Sequence, residues 1–182
     1  MNVVKKAYCR TYQTVFKLAL PVLPYRKPEI LDGPNGTAAL FKRKGIRRVL
    51  MVTDKSIRGF GITKPLEDKL KEEGIRCYVY DKTVANPTTD NVEEARLMYL
   101  KGNCQAIIGF GGGSSIDTAK AVAIMATNDG DWWDYIHGGT GGGKRIANAG
   151  LPVVAIPTTA GTGTEADPFT VITNGEEKIG GG

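Results

Sequence analysis

An α/β architecture, a parallel sheet flanked by helices, is predicted by three features of the sequence. Between Arg47 and Pro157, short apolar runs alternate with stretches at helical spacing, the pattern of repeated strand–helix–strand units. Turn signals separate these runs, among them Gly74, "NPTT" and the glycine cluster from Gly109 to Gly113. At 41% apolar and 24% charged residues over 182 positions, the composition supports a soluble chain with one packed core and the length of one ordinary domain.

The elements follow in order. The N-terminal "KKAYCRTYQTVFKLALPVLP" places basic residues ahead of an apolar run, as a signal peptide does. Lys17 interrupts the run, no small-x-small cleavage site follows, and the stretch falls short of the roughly 20 apolar residues that span a bilayer. It predicts an amphipathic helix ending near Pro21, packed on a neighbouring element or on a partner subunit of a homo-oligomer, with no membrane role. Residues 1–46 are thus expected to form a helical and extended segment leading into an α/β domain over 47–182.

"RVLMVT" from Arg48 reads as a buried strand, and "TKPLEDKLKEEG" as a helix starting at Thr63 and Pro65 and stopped by Gly74. "RCYVY" is the next strand. In "DNVEEARLMYLKG", Val92, Ala95 and Tyr99 share a helical face, with acids at the start and Lys101-Gly102 at the end. "QAIIGF" is a third strand, "SIDTAKAVAIMAT" an apolar buried helix, and "LPVVAIP" a fourth strand. "FTVIT" and "NGEEK" then predict a β-hairpin. The Gly-rich "HGGTGGGKRIANAG" is a surface loop, either a plain excursion or a hinge.

Charge and cysteines narrow the function classes. The net charge of +5 is spread over pairs such as Lys5-Lys6 and Arg47-Arg48 and the run Lys42-Arg43-Lys44, which read as solvated faces rather than a nucleic-acid patch. Cys9, Cys77 and Cys104 lie far apart without C-x-x-C spacing, so neither a disulfide framework nor a zinc knuckle is encoded, and a reducing, cytoplasmic setting fits.

The candidate site begins at "GFGGGSSIDTAK". Right-handed crossovers place every strand's C-terminal end on one edge of the sheet, where ligands of open α/β folds collect. Gly111, Gly112 and Gly113 remove the Cβ atoms that would hold a ligand off the backbone, and Ser114 stands at the expected helix N-cap, where free N–H groups and the positive dipole end favour an anion. A phosphate or pyrophosphate suits this bend; a tight turn without a ligand is the alternative. The G-x-G-x-x-G fingerprint fails, because Ser114 stands where the third glycine belongs, and the Walker pattern fails as well.

Asp54 directly follows the first strand, so its carboxylate is expected on the same edge, accepting hydrogen bonds from a ribose diol and repelling the extra phosphate of NADP. Its alternative is to cap the following turn. A Gly-Thr bend, "PTTAGTGTE", adds the hydroxyls of Thr158, Thr159 and Thr162 after the fourth strand. Together the bends describe a Rossmann-like domain with a long, phosphate-containing ligand.

The ordered set "VLMVTDKSI", "VANPTTDNVEEA", "GFGGGSSIDTAKAVA" and "LPVVAIPTTAGTGTEA...VIT" resembles the N-terminal half of the iron-containing, metal-dependent alcohol dehydrogenase family, related to glycerol dehydrogenase and dehydroquinate synthase. The resemblance implies a dehydroquinate synthase-like N-terminal domain with NAD as cofactor. It implies that Asp54 binds the adenosine ribose, that Asn86 lies beside the cofactor, and that Gly112, Gly113 and Ser114 hold the pyrophosphate. Thr158, Thr159 and Thr162 would line the path towards adenine and nicotinamide, with Lys178 after the hairpin a further contact, and Asp117 would organise the helix start. Asp167 departs from the family's usual Thr.

Family members bind Fe²⁺, or Zn²⁺, through an Asp and three His on a helical C-terminal domain, and this sequence stops at "EEKIGGG" before them. His137 has no D-x-x-x-H partner and reads as a surface or internally satisfied His. Neither a catalytic nor a metal-ligating residue is therefore expected here, the metal and a small alcohol or aldehyde belonging to the full-length parent. The isolated chain is expected to keep the NAD fold and to lack activity. Trp132-Trp133 is expected in the core, or else over apolar surface that the C-terminal domain would protect. Two alternatives remain: a non-catalytic nucleotide-binding or scaffold module, and a glycerol dehydrogenase-like or dehydroquinate synthase-like sibling. "TTAGTGTE" leans towards the alcohol dehydrogenase branch.

Overall fold

The structure is a computed structural model and describes residues 10, 11, 14, 28–135, 142–167, 170–174 and 177–181. The expected N-terminal helix falls mostly outside them, although Arg10, Thr11 and Thr14 are helical, and His137 lies outside them too.

Four strands make the parallel sheet: β1 (Arg48–Val52), β2 (Arg76–Tyr80), β3 (Ala106–Gly111) and β4 (Val153–Pro157), in the order β2-β1-β3-β4. Helix α1 (Gly33–Arg43) precedes β1, α2 (Lys55–Gly59) and α3 (Lys64–Glu72) lead to β2, α4 (Thr89–Gly102) leads to β3, and α5 (Gly113–Met125) follows β3. A 3-10 turn at Trp132–Tyr135 comes before β4. An antiparallel pair, β5 (Thr170–Asn174) and β6 (Glu177–Gly181), closes the order, matching the expected hairpin.

The strands separate two apolar layers because their side chains alternate. Leu50, Val52 and Ile107 face α4 and α5 and meet Val92, Ala95, Val122 and Ile172. Val49, Met51 and Ile108 face α1 and α3 and meet Phe41, Leu66 and Leu70. Side chains buried this fully contribute about 1.5–3 kcal/mol each. Trp132 is buried in the first layer with Trp133 packed against it, in keeping with a core role.

Helix boundaries follow local chemistry. Pro65 occupies the first turn of α3, and Gly74, at φ +69°, turns the chain out of it. Thr88 and Asn91 form a reciprocal capping box at the start of α4, and Asn103, left-handed at φ 45°, ends it. In β3, a Cβ on Gly109 would fall 2.9 Å from the Ile116 Cα, so α5 lies directly on the strand.

Because the chain runs from β1 outward to β2 and then crosses back to β3 on the other side, the order reverses between β1 and β3. A crevice opens at such a reversal, beyond the C-terminal ends of those strands.

Candidate functional site

Asp54 follows β1 and Gly112 follows β3, which places both at this reversal, and Thr158 follows the adjacent β4. Asp54, Gly112, Gly113, Ser114, Thr158 and Thr159 line one cleft of about 630 Å³. The three separated bends therefore converge on one rim.

The glycine bend forms the floor. Gly112 is the N-cap of α5 in an extended conformation (φ −77°, ψ −176°) and offers no capping side chain. Helix α5 thus begins two residues before the expected "SIDTAK" start, and Ser114 sits in its first turn rather than at the N-cap. The expectation failed because glycine, a poor helix former, reads as loop, whereas α5 begins wherever backbone dihedrals allow. The N–H groups of Ser115 and Ile116 reach the Gly112 carbonyl at 3.1 and 3.2 Å. Those of Gly113 and Ser114 meet no acceptor among the described residues, leaving two donors at the positive end of the helix dipole. Gly111 needs its glycine: φ is +146°, and a Cβ there would meet the Ser115 Oγ at 2.7 Å.

Asp54 caps the turn after β1, the alternative role expected for it. Its Oδ1 accepts from the N–H groups of Ser56 and Ile57 at 2.9 and 3.0 Å and so caps α2. The residue also lines the cleft, with Oδ2 turned towards Gly111. Further lining comes from Lys55, Ser56 and Ile57 on α2 and from Lys82, Thr83, Val84 and Ala85 after β2. Sequence reasoning missed these residues; the only signal for them was their proximity in the chain to Asp54 and to "NPTT".

Of the remaining expected residues, Asn86 and Thr162 lie beside this cleft. Asn86, exposed at φ 56°, follows the lining residue Ala85 without lining the cleft itself. The adjacent Pro87 carbonyl accepts the Thr173 N–H at 2.6 Å, and Thr173 is the register partner of Lys178. The strand carrying Lys178 is thereby brought beside the Asn86–Thr88 segment. Thr162 also lies outside the lining, yet its Cγ2 stands 3.5 Å from where a Cβ on Gly113 would be.

Asp117 does not organise the start of α5. Its Oδ1 accepts the Thr164 hydroxyl and its Oδ2 accepts the Val171 N–H at 3.1 Å, so it ties the loop after β4 and strand β5 to the middle of the helix. Sequence position hid this link, since the partners stand 47 and 54 residues away.

A second hollow, of about 830 Å³, runs along β4 between α1 and α3 and is mainly apolar. The smaller cleft, in contrast, holds the two N–H groups at the start of α5 that meet no acceptor among the described residues, which suits a phosphate-bearing ligand. Among the described residues, no group of three or more His, Cys, Asp and Glu could hold a metal ion, and no helix is long and apolar enough to cross a membrane.

Known proteins share the fold of this chain. The chain is 39% identical over 143 residues to alcohol dehydrogenase 4 of Saccharomyces cerevisiae, a match covering 79% of the chain and 36% of that relative. It superposes on the NADH-dependent butanol dehydrogenase A of Thermotoga maritima with a TM-score of 0.75 at 34% identity, covering 86% of the chain and 40% of that structure. Sulfoacetaldehyde reductase of Bifidobacterium kashiwanohense, solved in complex with NAD+, gives a TM-score of 0.75 at 28% identity, covering 86% and 42%. The chain thus spans well under half the length of these proteins and matches their N-terminal part. Residues 33–181 match the model of the iron-containing alcohol dehydrogenases, and with the parallel sheet, the glycine bend and the acidic residue after β1 in place, the chain belongs to that family.

Proposed function

We propose that the chain forms the NAD-binding half of a metal-dependent alcohol dehydrogenase, with residues 47–182 holding the dinucleotide. In the whole protein, NAD held there would supply hydride-transfer chemistry for a small alcohol or aldehyde. The observation that carries this reading is the convergence of Asp54, the unpartnered N–H groups of Gly113 and Ser114, and Thr158 and Thr159 on one cleft. A cradle with no Cβ at Gly112 and two outward donors at a helix N-terminus suits a pyrophosphate.

Each residue then has a role. Asp54 keeps Oδ1 on the α2 cap and offers Oδ2 to the adenosine ribose, where its charge also disfavours the 2′-phosphate of NADP. Gly113 and Ser114 donate to the pyrophosphate; Thr158 and Thr159 supply hydroxyls beside the cradle, with Thr162 next to Gly113 at the edge of the lining. Asn86 and Lys178 approach the cofactor from the segment tied to the hairpin. Bound NAD supplies the hydride acceptor, and the chain's own residues orient it.

The described residues do not fit an iron site. Fe²⁺ or Zn²⁺ is therefore assigned to the full-length parent, and the chain alone is expected not to oxidise alcohols. Free Cys77 and Cys104 suit a reducing, cytoplasmic setting.

Calorimetric titration tests the reading. NAD is expected to bind at one site, more tightly than NADP, and adding Fe²⁺ or Zn²⁺ with a short alcohol is expected to produce no reduced nicotinamide. Absence of NAD binding would leave a scaffold module as the better account. Turnover would overturn the assignment of the metal to the full-length parent.

A further inference from the structure

Helix α5 contributes more than its N-terminus. Lys120 lies about one turn beyond Asp117, and its ammonium is surrounded by oxygens of the loop after β4. The Thr164 carbonyl stands at 2.8 Å, the Thr164 hydroxyl at 2.9 Å, the Asp167 carboxylate at 3.1 Å and the Asp167 carbonyl at 3.3 Å. Asp117 completes the ring at 3.3 Å. The Lys120 and Asp117 side chains keep only 14% and 12% of their exposure, so this cation is enclosed by its partners rather than solvated.

The loop that it holds starts at the cleft, which Thr158 and Thr159 line, and its gripped end, Thr164–Ala166, lines the neighbouring apolar hollow together with Lys120. Residues 158–163 are exposed and belong to no helix or strand, and Gly161 and Gly163 have φ of +92° and +67°. At its near end the Thr158 N–H donates to the Gly111 carbonyl at 2.9 Å. At its far end Lys120 and Asp117 grip Thr164 and Asp167. Thr159 and Thr162 hang between these two anchors, over the first residues of α5.

We infer that Lys120, acting with Asp117, is a positioning residue for the cofactor. It locks the Thr158–Asp167 loop to the same helix whose N-terminus forms the anion cradle, and so sets the width of the cleft without touching the ligand. The inference rests on the cofactor reading above. The cradle donors and the threonines stand side by side, with the Thr159 Oγ1 3.5 Å from where a Cβ on Gly112 would be. They can grip one ligand together only if their separation is fixed, and one helix bears both the cradle and the clamp.

Hydrogen–deuterium exchange on the ligand-free chain, combined with NAD calorimetry, tests it. Lys120→Met is expected to raise exchange within 158–167 while β1 and β3 stay protected, and to weaken NAD by about tenfold. Lys120→Arg, which keeps the cation, is expected to recover most of both. In a Thr159→Ala, Thr162→Ala background, Lys120→Met is expected to cost far less, because little is left to position; a merely destabilising change would cost the same in either background. If Lys120→Met does not fold, Asp167→Ala, at a side chain 42% exposed, takes its place in the same measurements. An unchanged loop overturns the clamp, and a loosened loop with unaltered NAD affinity overturns its link to the cofactor. If the unsubstituted chain binds no NAD, the cofactor reading fails instead, and the link to the cofactor falls with it while exchange still decides the clamp.

Discussion

The Oδ2 of Asp54 stands 3.4 Å from the point that a Cβ on Gly111 would occupy, so the carboxylate after β1 lies against the bare backbone at the end of β3. The other oxygen, Oδ1, is committed to the N–H groups of Ser56 and Ile57. One side chain thus caps α2 with one oxygen and leaves the other facing the cleft. Asp54→Asn keeps an acceptor for the cap and is expected to leave stability within about 0.5 kcal/mol, while losing the charge that rejects NADP. Asp54→Ala loses the cap as well, about 1 kcal/mol in urea denaturation, and weakens NAD by roughly tenfold or more. Calorimetry with NAD and NADP on both variants separates the effects; an unchanged NAD to NADP ratio in Asp54→Asn would exclude Asp54 from cofactor choice.

The glycines of the bend divide by the reason for each. Gly111→Ala forces a side chain into φ +146° and against the Ser115 Oγ, and is expected to cost about 1–3 kcal/mol. Gly109→Ala drives a methyl towards the Ile116 Cα and lifts α5 off β3, at a similar cost of about 1–3 kcal/mol. Gly112→Ala differs: its φ of −77° suits alanine, and its nearest neighbour, the Thr159 Oγ1, stands 3.5 Å away. Stability is expected to stay within about 0.5 kcal/mol while NAD affinity falls, because the methyl fills the cradle. Full NAD affinity in Gly112→Ala would mean that the pyrophosphate lies elsewhere.

These positions show what the sequence made legible. Periodicity and turn residues located all four parallel strands, and chain order alone placed Asp54, Gly112 and Thr158 beyond strand ends on a common rim, because parallel strands share a direction. The short helix α2 went unread, since five residues carry no periodicity. The Asp117–Thr164 and Lys120–Asp167 contacts also escaped, because each joins residues 47 positions apart through a loop of no regular structure. Lys82 and Thr83 entered the cleft only once β2 was known to lie beside β1.

Alkaline pH is expected to destabilise the fold through the half-buried Cys77 and the buried Cys104. Burial pushes the Cys77 thiol from 9.0 up to about 12 and the Cys104 thiol up to about 11. Above pH 9.0 the unfolded chain releases these protons while the folded chain keeps them. The native state then binds more protons, and stability falls as pH rises. The contribution is complete below pH 9.0 and is lost progressively towards about 11 for Cys104 and about 12 for Cys77. Urea midpoints across this range are expected to fall less steeply for Cys104→Ala, whatever its starting stability. An identical slope would show that Cys104 does not titrate differently in the two states. The same shift predicts slow alkylation of Cys104 in the folded chain near neutral pH.

Asn91 links the start of α4 to the wall of the cleft. Its Oδ1 accepts the Thr88 N–H at 3.2 Å, completing the capping box, while its Nδ2 donates to the Tyr80 hydroxyl at 3.0 Å and to the Lys82 carbonyl at 3.3 Å. Lys82 begins the segment that lines the cleft after β2, so the amide fixes a helix end and a wall of the cleft together. Asn91→Ala removes the cap partner and both donors and is expected to cost about 2–3 kcal/mol. Asn91→Asp keeps the acceptor for Thr88 but cannot donate, so it retains much of the cap while facing the Lys82 carbonyl and Tyr80 oxygen with an acceptor. It is expected to lie between the wild type and Asn91→Ala in urea denaturation, yet to weaken NAD as much as Asn91→Ala does. Undiminished NAD affinity in Asn91→Asp would show that the wall after β2 holds its place without the two donated hydrogen bonds.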